Sequence, residues 1–310
     1  MSRIFAISDL HTDYEANMEF VESLPSRPDD VLIVAGDVSD DIPRLVETLS
    51  ILKAKYNEVY FIPGNHELWI NKTDLAPNSL VKLFEIVRHC NAIGVQTEPG
   101  KVRCLDGSDV WIVPLYSWYA GPDDDPKNTL YVPGGLTSWK DLTLKEMGWS
   151  DAYFCKWPPL KRRASGSCPS LAQLFADMNT ERLTNDYDAP VITFSHFVPR
   201  PELMRASVQD ETEIALERNI MGLPSPDWKE KEFGTRFNFS RVAGSNILDR
   251  QLRKIGSMIH VYGHQHRNRD RTIRRVRYVS HCLGNPRESS EGITWGIATW
   301  AGPKLIHGHC

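Results

Sequence analysis

An α/β fold organised around a parallel sheet is what the sequence predicts, and two observations carry that reading. From Arg3 to Ile62, short β-prone runs alternate with stretches of helical periodicity. Parallel strands need such crossovers, because a tight turn cannot join them. Five apolar runs also stop at the same kind of place, a Ser or Gly followed by Asp, Asn or His. The carboxyl ends of strands are where open α/β sheets bind ligands.

The first strand is Arg3–Ser8, and a helix over Tyr14–Leu24 follows, with Met18, Val21 and Leu24 at helical spacing. The turn-rich stretch Pro25–Asp30 leads to a strand over Val31–Ala35, a helix over Pro43–Tyr56 and a strand over Val59–Ile62. Ser79–Cys90 reads as a helix. Lys101–Cys104 and Val110–Val113 flank Asp106-Gly107 as a hairpin. From Leu115 to Asp188 the pattern loosens into a segment rich in Pro, Gly, Tyr and Trp, with Trp118, Trp139, Trp149 and Trp157. Its one clear helix opens with a capping box at Ser170–Gln173 and runs to Leu183. Regular pattern resumes with a strand over Pro190–Phe194, a helix over Asn246–Ile255 and a strand over Met258–Tyr262. Strands over Thr272–Ser280, Ile293–Trp300 and Lys304–His307 complete the chain. The expected organisation is one domain over residues 1–310, with an insertion or cap at about 115–188.

With 310 residues, 41% hydrophobic and 25% charged, the composition is that of a globular protein with a large core. No run approaches the ~20 apolar residues of a membrane span. The apolar part of MSRIFAISD ends at Asp9, too soon for a signal peptide. A cytoplasmic protein with no membrane partner is therefore expected. The six cysteines (Cys90, Cys104, Cys155, Cys168, Cys282, Cys310) form no C-x-x-C pair and read as free thiols in a reducing compartment. A net charge of −4 does not fit a general nucleic-acid binder, so no nucleic-acid partner is expected. The sequence does not set the oligomeric state.

Taken singly, an Asp after a strand serves as a cap or turn residue, and a lone His as a satisfied surface or core residue. Taken together, in order, the motifs are D-x-H at Asp9 and His11, G-D at Asp37 and G-N-H-E from Gly64 to Glu67. S-H at His196 and G-H-x-H at His264 and His266 complete the set. On these residues the chain resembles the metallophosphoesterases, the calcineurin-like phosphoesterase superfamily. The matching blocks run from Asp9 to His266. In the protein Ser/Thr phosphatases the first motif is glycine-flanked, whereas here Ser8 and Thr12 flank it, so the chain does not resemble that branch closely.

The resemblance implies a four-layer α/β/β/α sandwich with two mixed sheets, and a two-metal site. Asp9, His11 and His266 would bind the first metal, and Asn65, His196 and His264 the second. Asp37 would bridge both, and His66 would protonate the leaving oxygen. The ligand set, carboxylate, imidazole and amide without thiolate, suits two divalent or trivalent transition-metal ions such as Mn, Fe, Zn, Co or Ni. The implied reaction is attack of a metal-bridged hydroxide on a phosphate ester. The first expectation is a phosphomonoesterase acting on a small phosphorylated molecule. The alternative is a phosphodiesterase acting on a cyclic nucleotide or other small diester. A non-catalytic scaffold is the third reading, and the intact ligand set and His66 speak against it.

Gly36, Gly64 and Gly263 are expected to let the backbone turn sharply before each functional residue. Arg200, Arg287 and Asn65 are candidate substrate contacts. A guanidinium can grip phosphate bidentately, or Arg200 and Arg287 can simply pair with Glu202 and Glu288. The six arginines of Arg267–Arg277 read as the charged outer face of a hairpin rather than an anion-binding rim. Trp118, Tyr119, Trp149 and Trp157 either shape substrate choice or pack on the sheet. Glu67 is left between orienting His66 and capping the following turn. His89, His260 and His281 are assigned no role, and the Ile306–Cys310 tail reads as a surface terminus able to bind stray metal.

Overall fold

The structure, a computed structural model, describes residues 1–133, 142–161, 168–224 and 238–308. Trp139, His309 and Cys310 lie outside the described residues. In the first sheet β1 (Ile4–Ile7), β2 (Arg27–Val34) and β3 (Tyr56–Phe61) are parallel. β10 (Lys304–His307) adds antiparallel to the free edge of β1. The crossovers are α1 (Glu15–Ser23) and α2 (Ile42–Lys55), and α3 (Ser79–Ala92) follows β3. α2 starts cleanly because Asp41 accepts from the Arg44 N–H and Pro43 stands in the first turn. All four residues of β1 are buried, since a parallel sheet covered on both faces leaves no water-facing side.

The second sheet has the order β4-β5-β6-β7-β9-β8. Its strands are β4 (Gly100–Arg103), β5 (Asp109–Pro114), β6 (Val191–Phe194), β7 (Ser257–Tyr262), β8 (Arg269–Ile273) and β9 (Val276–Ser280). The inner pairs are parallel and the outermost pair at each edge antiparallel. One apolar core joins side chains of both sheets, among them Ile4, Val34, Phe61, Ile112, Phe194 and Val261. A second cluster, including Val191, Tyr262 and Tyr278, packs against Leu248 and Leu252 of α7 (Asn246–Lys254). α5 (Leu171–Met178) lies beside α7. The result is the four-layer α/β/β/α sandwich with two mixed sheets.

The sheets are stitched where β1 and β9 end. The Ser8 N–H donates to the His281 carbonyl (2.9 Å), Leu283 N–H to Ser8 (3.2 Å) and Gly284 N–H to Asp9 (2.9 Å). This seam brings the first D-x-H motif against residues more than 250 positions later.

Several boundaries differ from the sequence reading. β2 begins at Arg27, not Val31, because Arg27 pairs with Tyr56 ahead of a register shift, so the turn-like residues form an irregular lead-in. The strand expected over Thr272–Ser280 is a hairpin. Its turn places Arg274 (φ 48°) and Arg275 (φ 70°) in the left-handed region without the Gly or Asn that usually announces it. No strand forms over Ile293–Trp300, where Gly292 (φ 65°) and Gly296 (φ 73°) turn the chain. Glu217 takes up the N–H groups of Gly296 and Ala298, both at 2.8 Å. Glu217 lies on α6 (Val208–Ile220), an element the sequence reading lacks, although the Ser207/Asp210 capping box marks its start. α5 stops at Met178 because the Asn179 side chain turns to bond the Tyr116 backbone N–H and carbonyl (2.9 and 2.8 Å). Two short helices, α4 (Asp151–Phe154) and α8 (Pro286–Ser290), were not anticipated either. Among the described residues no helix is long and apolar enough to cross a membrane.

Candidate metal centre

The motif residues sit on loops leaving β1, β2, β3, β6 and β7, and their backbones are unusual. Seven non-glycine residues among those described have positive φ, and five of them are motif residues. These are Asp9 (51°), His11 (43°), Asp37 (53°), His264 (71°) and His266 (51°). Left-handed backbone costs a residue with a Cβ on the order of 1–2 kcal/mol. It persists only where the surroundings over-determine it, and it clusters at functional sites. Here cross-loop hydrogen bonds do this. Asp9 N–H donates to the Gly36 carbonyl (2.9 Å) and His11 N–H to Asp37 (3.0 Å). The buried Asn17 amide holds the carbonyls of Leu10 (2.7 Å) and Gly284 (2.9 Å).

Three overlapping groups result: Asp9, His11 and His266; His11, Asp37 and His66; and Asp37, His196 and His264. Within each group the candidate ligand atoms lie within 4.8 Å of one another, and Asp37 belongs to two of the three. Asn65 joins through its Oδ1, 3.1 Å from His196 Nε2. The sequence motifs therefore meet at one place.

Gly64 and Gly263 do something other than turn the chain. Only Gly36 of the three predicted glycines has positive φ, at 80°. A Cβ on Gly64 would fall 2.2 Å from Asp37 Oδ1 and 2.7 Å from His196 Cγ, and one on Gly263 would fall 2.5 Å from Asp9 Oδ2. Both are glycines because a side chain would occupy ligand space, which corrects the expectation of sharp turns.

The hydrogen bonds around the imidazoles test whether cations fit. His196 Nδ1 faces the Ala35 carbonyl (2.9 Å), His264 Nε2 the Val242 carbonyl (3.0 Å), and His266 Nδ1 the Glu288 carboxylate. Each acceptor draws the ring proton outward, so the other nitrogen presents its lone pair inward. There, lone pairs face one another. His11 Nε2 is 3.0 Å from His266 Nε2, and His196 Nε2 is 3.2 Å from Asp37 Oδ2. Such a convergence of buried acceptors is stable only with positive charge between them, so the residues fit cations. In the protein without metal, neighbouring carboxylates favour a charged ring at two of these imidazoles and burial a neutral one at the third. Burial alone would lower His196 and His266, but the Asp37 carboxylate raises His196 to about 9. Hydrogen bonds to Asp9 and Glu288 raise His266 to about 10. Burial lowers His264 to about 3.

Glu67 neither orients His66 nor caps the next turn. Fully buried, its carboxylate accepts the N–H groups of Asp37 (3.0 Å), Val38 (2.5 Å), Ser39 (3.2 Å) and Gly64 (2.7 Å). It thus ties the G-D loop to the G-N-H-E loop. Burial, reinforced by Asp37, raises it to about 7. His66 follows in a short 3₁₀ turn, its N–H on Asp37 Oδ1 (3.0 Å) and its Nε2 3.9 Å from Asp37 Oδ2. Its ring lies 3.8 Å from that of Trp69 and 4.7 Å from that of His11. At 27% exposure its side chain is the more open beside His266 at 15%.

The candidate substrate arginines are both paired with carboxylates. Arg200 is paired with Glu202 and Asp249 and is 7% exposed. Arg287 pairs with Glu291 rather than Glu288 and is 83% exposed. Trp118 is buried among Tyr119, Trp157, Phe175 and Phe197, while Trp149 meets the His264 ring edge-on at 6.0 Å. Arg271 and Arg277 of the arginine-rich hairpin pair with Asp210 and Asp270, and Arg269 is buried. Sequence reasoning missed Glu288, three residues beyond Asn285 at the start of α8, and Asp151. Neither sits in a strand-end motif.

This arrangement is a candidate metal centre at the strand ends of a two-sheet sandwich. The chain belongs to the calcineurin-like phosphoesterases, whose family model matches residues 2–200. It is a metal-dependent phosphoric ester hydrolase of a family that uses a dinuclear metal centre. It is similar to PptH of Mycobacterium tuberculosis, an [acyl-carrier-protein] phosphodiesterase, with 28% identity over 293 residues covering 92% of this chain and 78% of that protein. The crystal structure of the phosphopantetheinyl hydrolase PptH from the same organism matches with a TM-score of 0.64 at 24% identity, covering 93% of this chain and 91% of that one.

Proposed function

We propose that this chain is a phosphodiesterase that cleaves the ester linking a phosphopantetheinyl group to an acyl-carrier protein. The observation that carries the chemistry is that the three ligand groups form one chain, the first two sharing His11 and the last two sharing Asp37. The preference for a diester is supported by the similarity to PptH along nearly the whole chain. It replaces the phosphomonoester as first reading.

In this proposal Asp9, His11 and His266 hold one metal, Asn65, His196 and His264 the other, and Asp37 serves both. The donor set suits Mn, Fe, Zn, Co or Ni. Two bound cations would neutralise phosphoryl charge and lower the pKa of water to near neutrality. His66, its side chain 27% exposed beside the ligand groups, is assigned the proton for the leaving oxygen. Burial holds its imidazole down to about 3. An anionic phosphate beside it favours the charged ring and so readies the proton. Of the two arginines, only exposed Arg287 is proposed to reach substrate, since Arg200 is enclosed by carboxylates. Residues 1–310 would act as one domain, with the segment from about 115 to 188 as its cap.

A substrate panel tests the reading: phosphopantetheinylated carrier protein, cyclic AMP, bis-p-nitrophenyl phosphate and p-nitrophenyl phosphate. We expect release of phosphopantetheine, a preference of at least about 10-fold for diesters over the monoester, and loss of all activity with chelator. Faster turnover of the monoester overturns the diester reading.

A further inference from the structure

We infer that Asp151, in the segment between β5 and β6, is a positioning residue that holds both Asn65 and His66 in working geometry. The inference rests on the roles proposed above for those two residues.

Asp151 opens α4 and is 3% exposed. Its Oδ1 accepts from Asn65 Nδ2 (2.9 Å) and Trp69 Nε1 (2.7 Å), and its Oδ2 from Trp149 Nε1 (2.9 Å). An indole N–H can only donate and a carboxylate only accept, so the assignment of donors is unambiguous. The consequence for Asn65 is an amide that cannot flip. With Nδ2 drawn to Asp151, Oδ1 must point at His196 and the cluster. A neutral amide oxygen is a weak ligand beside carboxylate and imidazole, so its orientation matters more than theirs.

The same carboxylate reaches His66 through Trp69, whose indole lies against the imidazole at 3.8 Å and 31°. Phe154, also of α4, packs on the Trp69 ring at 5.2 Å. The backbone is tied at the same place. Ile70 N–H donates to Phe154 (2.9 Å), Ser79 N–H to Lys156 (2.8 Å), and Lys156 N–H to Ser79 Oγ (2.9 Å). Trp149, the third donor, stands edge-on to His264. Seating of this segment and alignment of the second metal position are therefore one event.

The test compares wild type, Asp151→Ala and Asp151→Asn by calorimetric titration of metal-free protein with Mn²⁺, and by hydrolysis rates over aryl and alkyl phosphodiesters. For Asp151→Ala we expect the first equivalent of Mn²⁺ to bind as in wild type and the second at least about 10-fold more weakly. Rates with poor leaving groups should fall at least about 10-fold further than rates with good ones, since the proton donor is displaced. Asp151→Asn keeps a carbonyl for Asn65 and Trp69 and should restore most of both. Should the alanine variant not fold, Asp151→Glu, which misplaces the charge by one methylene, carries the same comparison. A folded Asp151→Ala variant with two unchanged Mn²⁺ isotherms and a uniform rate loss overturns the proposal. In that case an Asn65→Ala variant with a weakened second isotherm leaves the site assignment standing. An intact second isotherm in Asn65→Ala overturns both.

Discussion

The loops that carry the candidate ligands and the segment between β5 and β6 are built by different means. The ligand loops are fixed by backbone. Left-handed residues, glycines with ligand atoms in the space of a Cβ, and inter-loop N–H donors leave each ligand little freedom. The described part of the segment from Leu115 to Asp188 is held largely by side chains, with an aromatic cluster around Trp118 and one buried carboxylate, Asp151, as anchors beside a few backbone ties. Metal geometry tolerates displacements of only tenths of an ångström and needs a rigid frame.

The sharpest way to break this contrast is Gly64→Ala. Gly64 needs no left-handed backbone, so the only penalty is the added methyl against Asp37 and His196. We expect loss of bound metal by elemental analysis and a fall in kcat of at least about 100-fold. Retained metal and activity would mean that the frame yields.

Glu67→Gln comes next. The amide nitrogen must face backbone N–H groups whichever way it turns, because each carboxylate oxygen accepts two of them. The expected cost is about 2–4 kcal/mol, read as a fall in Tm of about 5 °C in metal-free protein, with weaker metal binding. An unchanged melt would remove Glu67 from the frame.

Trp157→Phe should do least. Trp157 meets Trp118 and Phe175 edge-on, so a smaller ring costs about 1 kcal/mol of stability. Rates on two different diesters should keep their ratio within about twofold. A changed ratio would make Trp157 a determinant of substrate choice rather than a packing residue.

The same contrast explains what the sequence disclosed. The ligand residues are legible because strand-end position, residue type and order all repeat across motifs, and each is a local property. Glu67 sat in plain view within G-N-H-E, yet its partners Val38 and Ser39 lie 28 or more residues away, and no local pattern names them. Asp151 and Glu288 are single acidic residues in irregular stretches, and only tertiary packing brings them to Asn65 and His266. The turn at Arg274-Arg275 misled for the opposite reason. Residues that rarely adopt left-handed backbone do so there, so the turn of the expected hairpin fell inside what read as the strand Thr272–Ser280.

The seam between β1 and β9 also bears on how the chain assembles in time. Ser8 pairs with His281 and Leu283, and Asp9 with Gly284. A closure of that span has a high contact order and forms late. During vectorial synthesis the first sheet's three parallel strands can dock long before residue 284 exists. The first candidate metal position nevertheless lacks His266 and the seam that holds Asp9 in place. While residue 284 is still unmade, the chain therefore carries docked strands and an incomplete candidate centre.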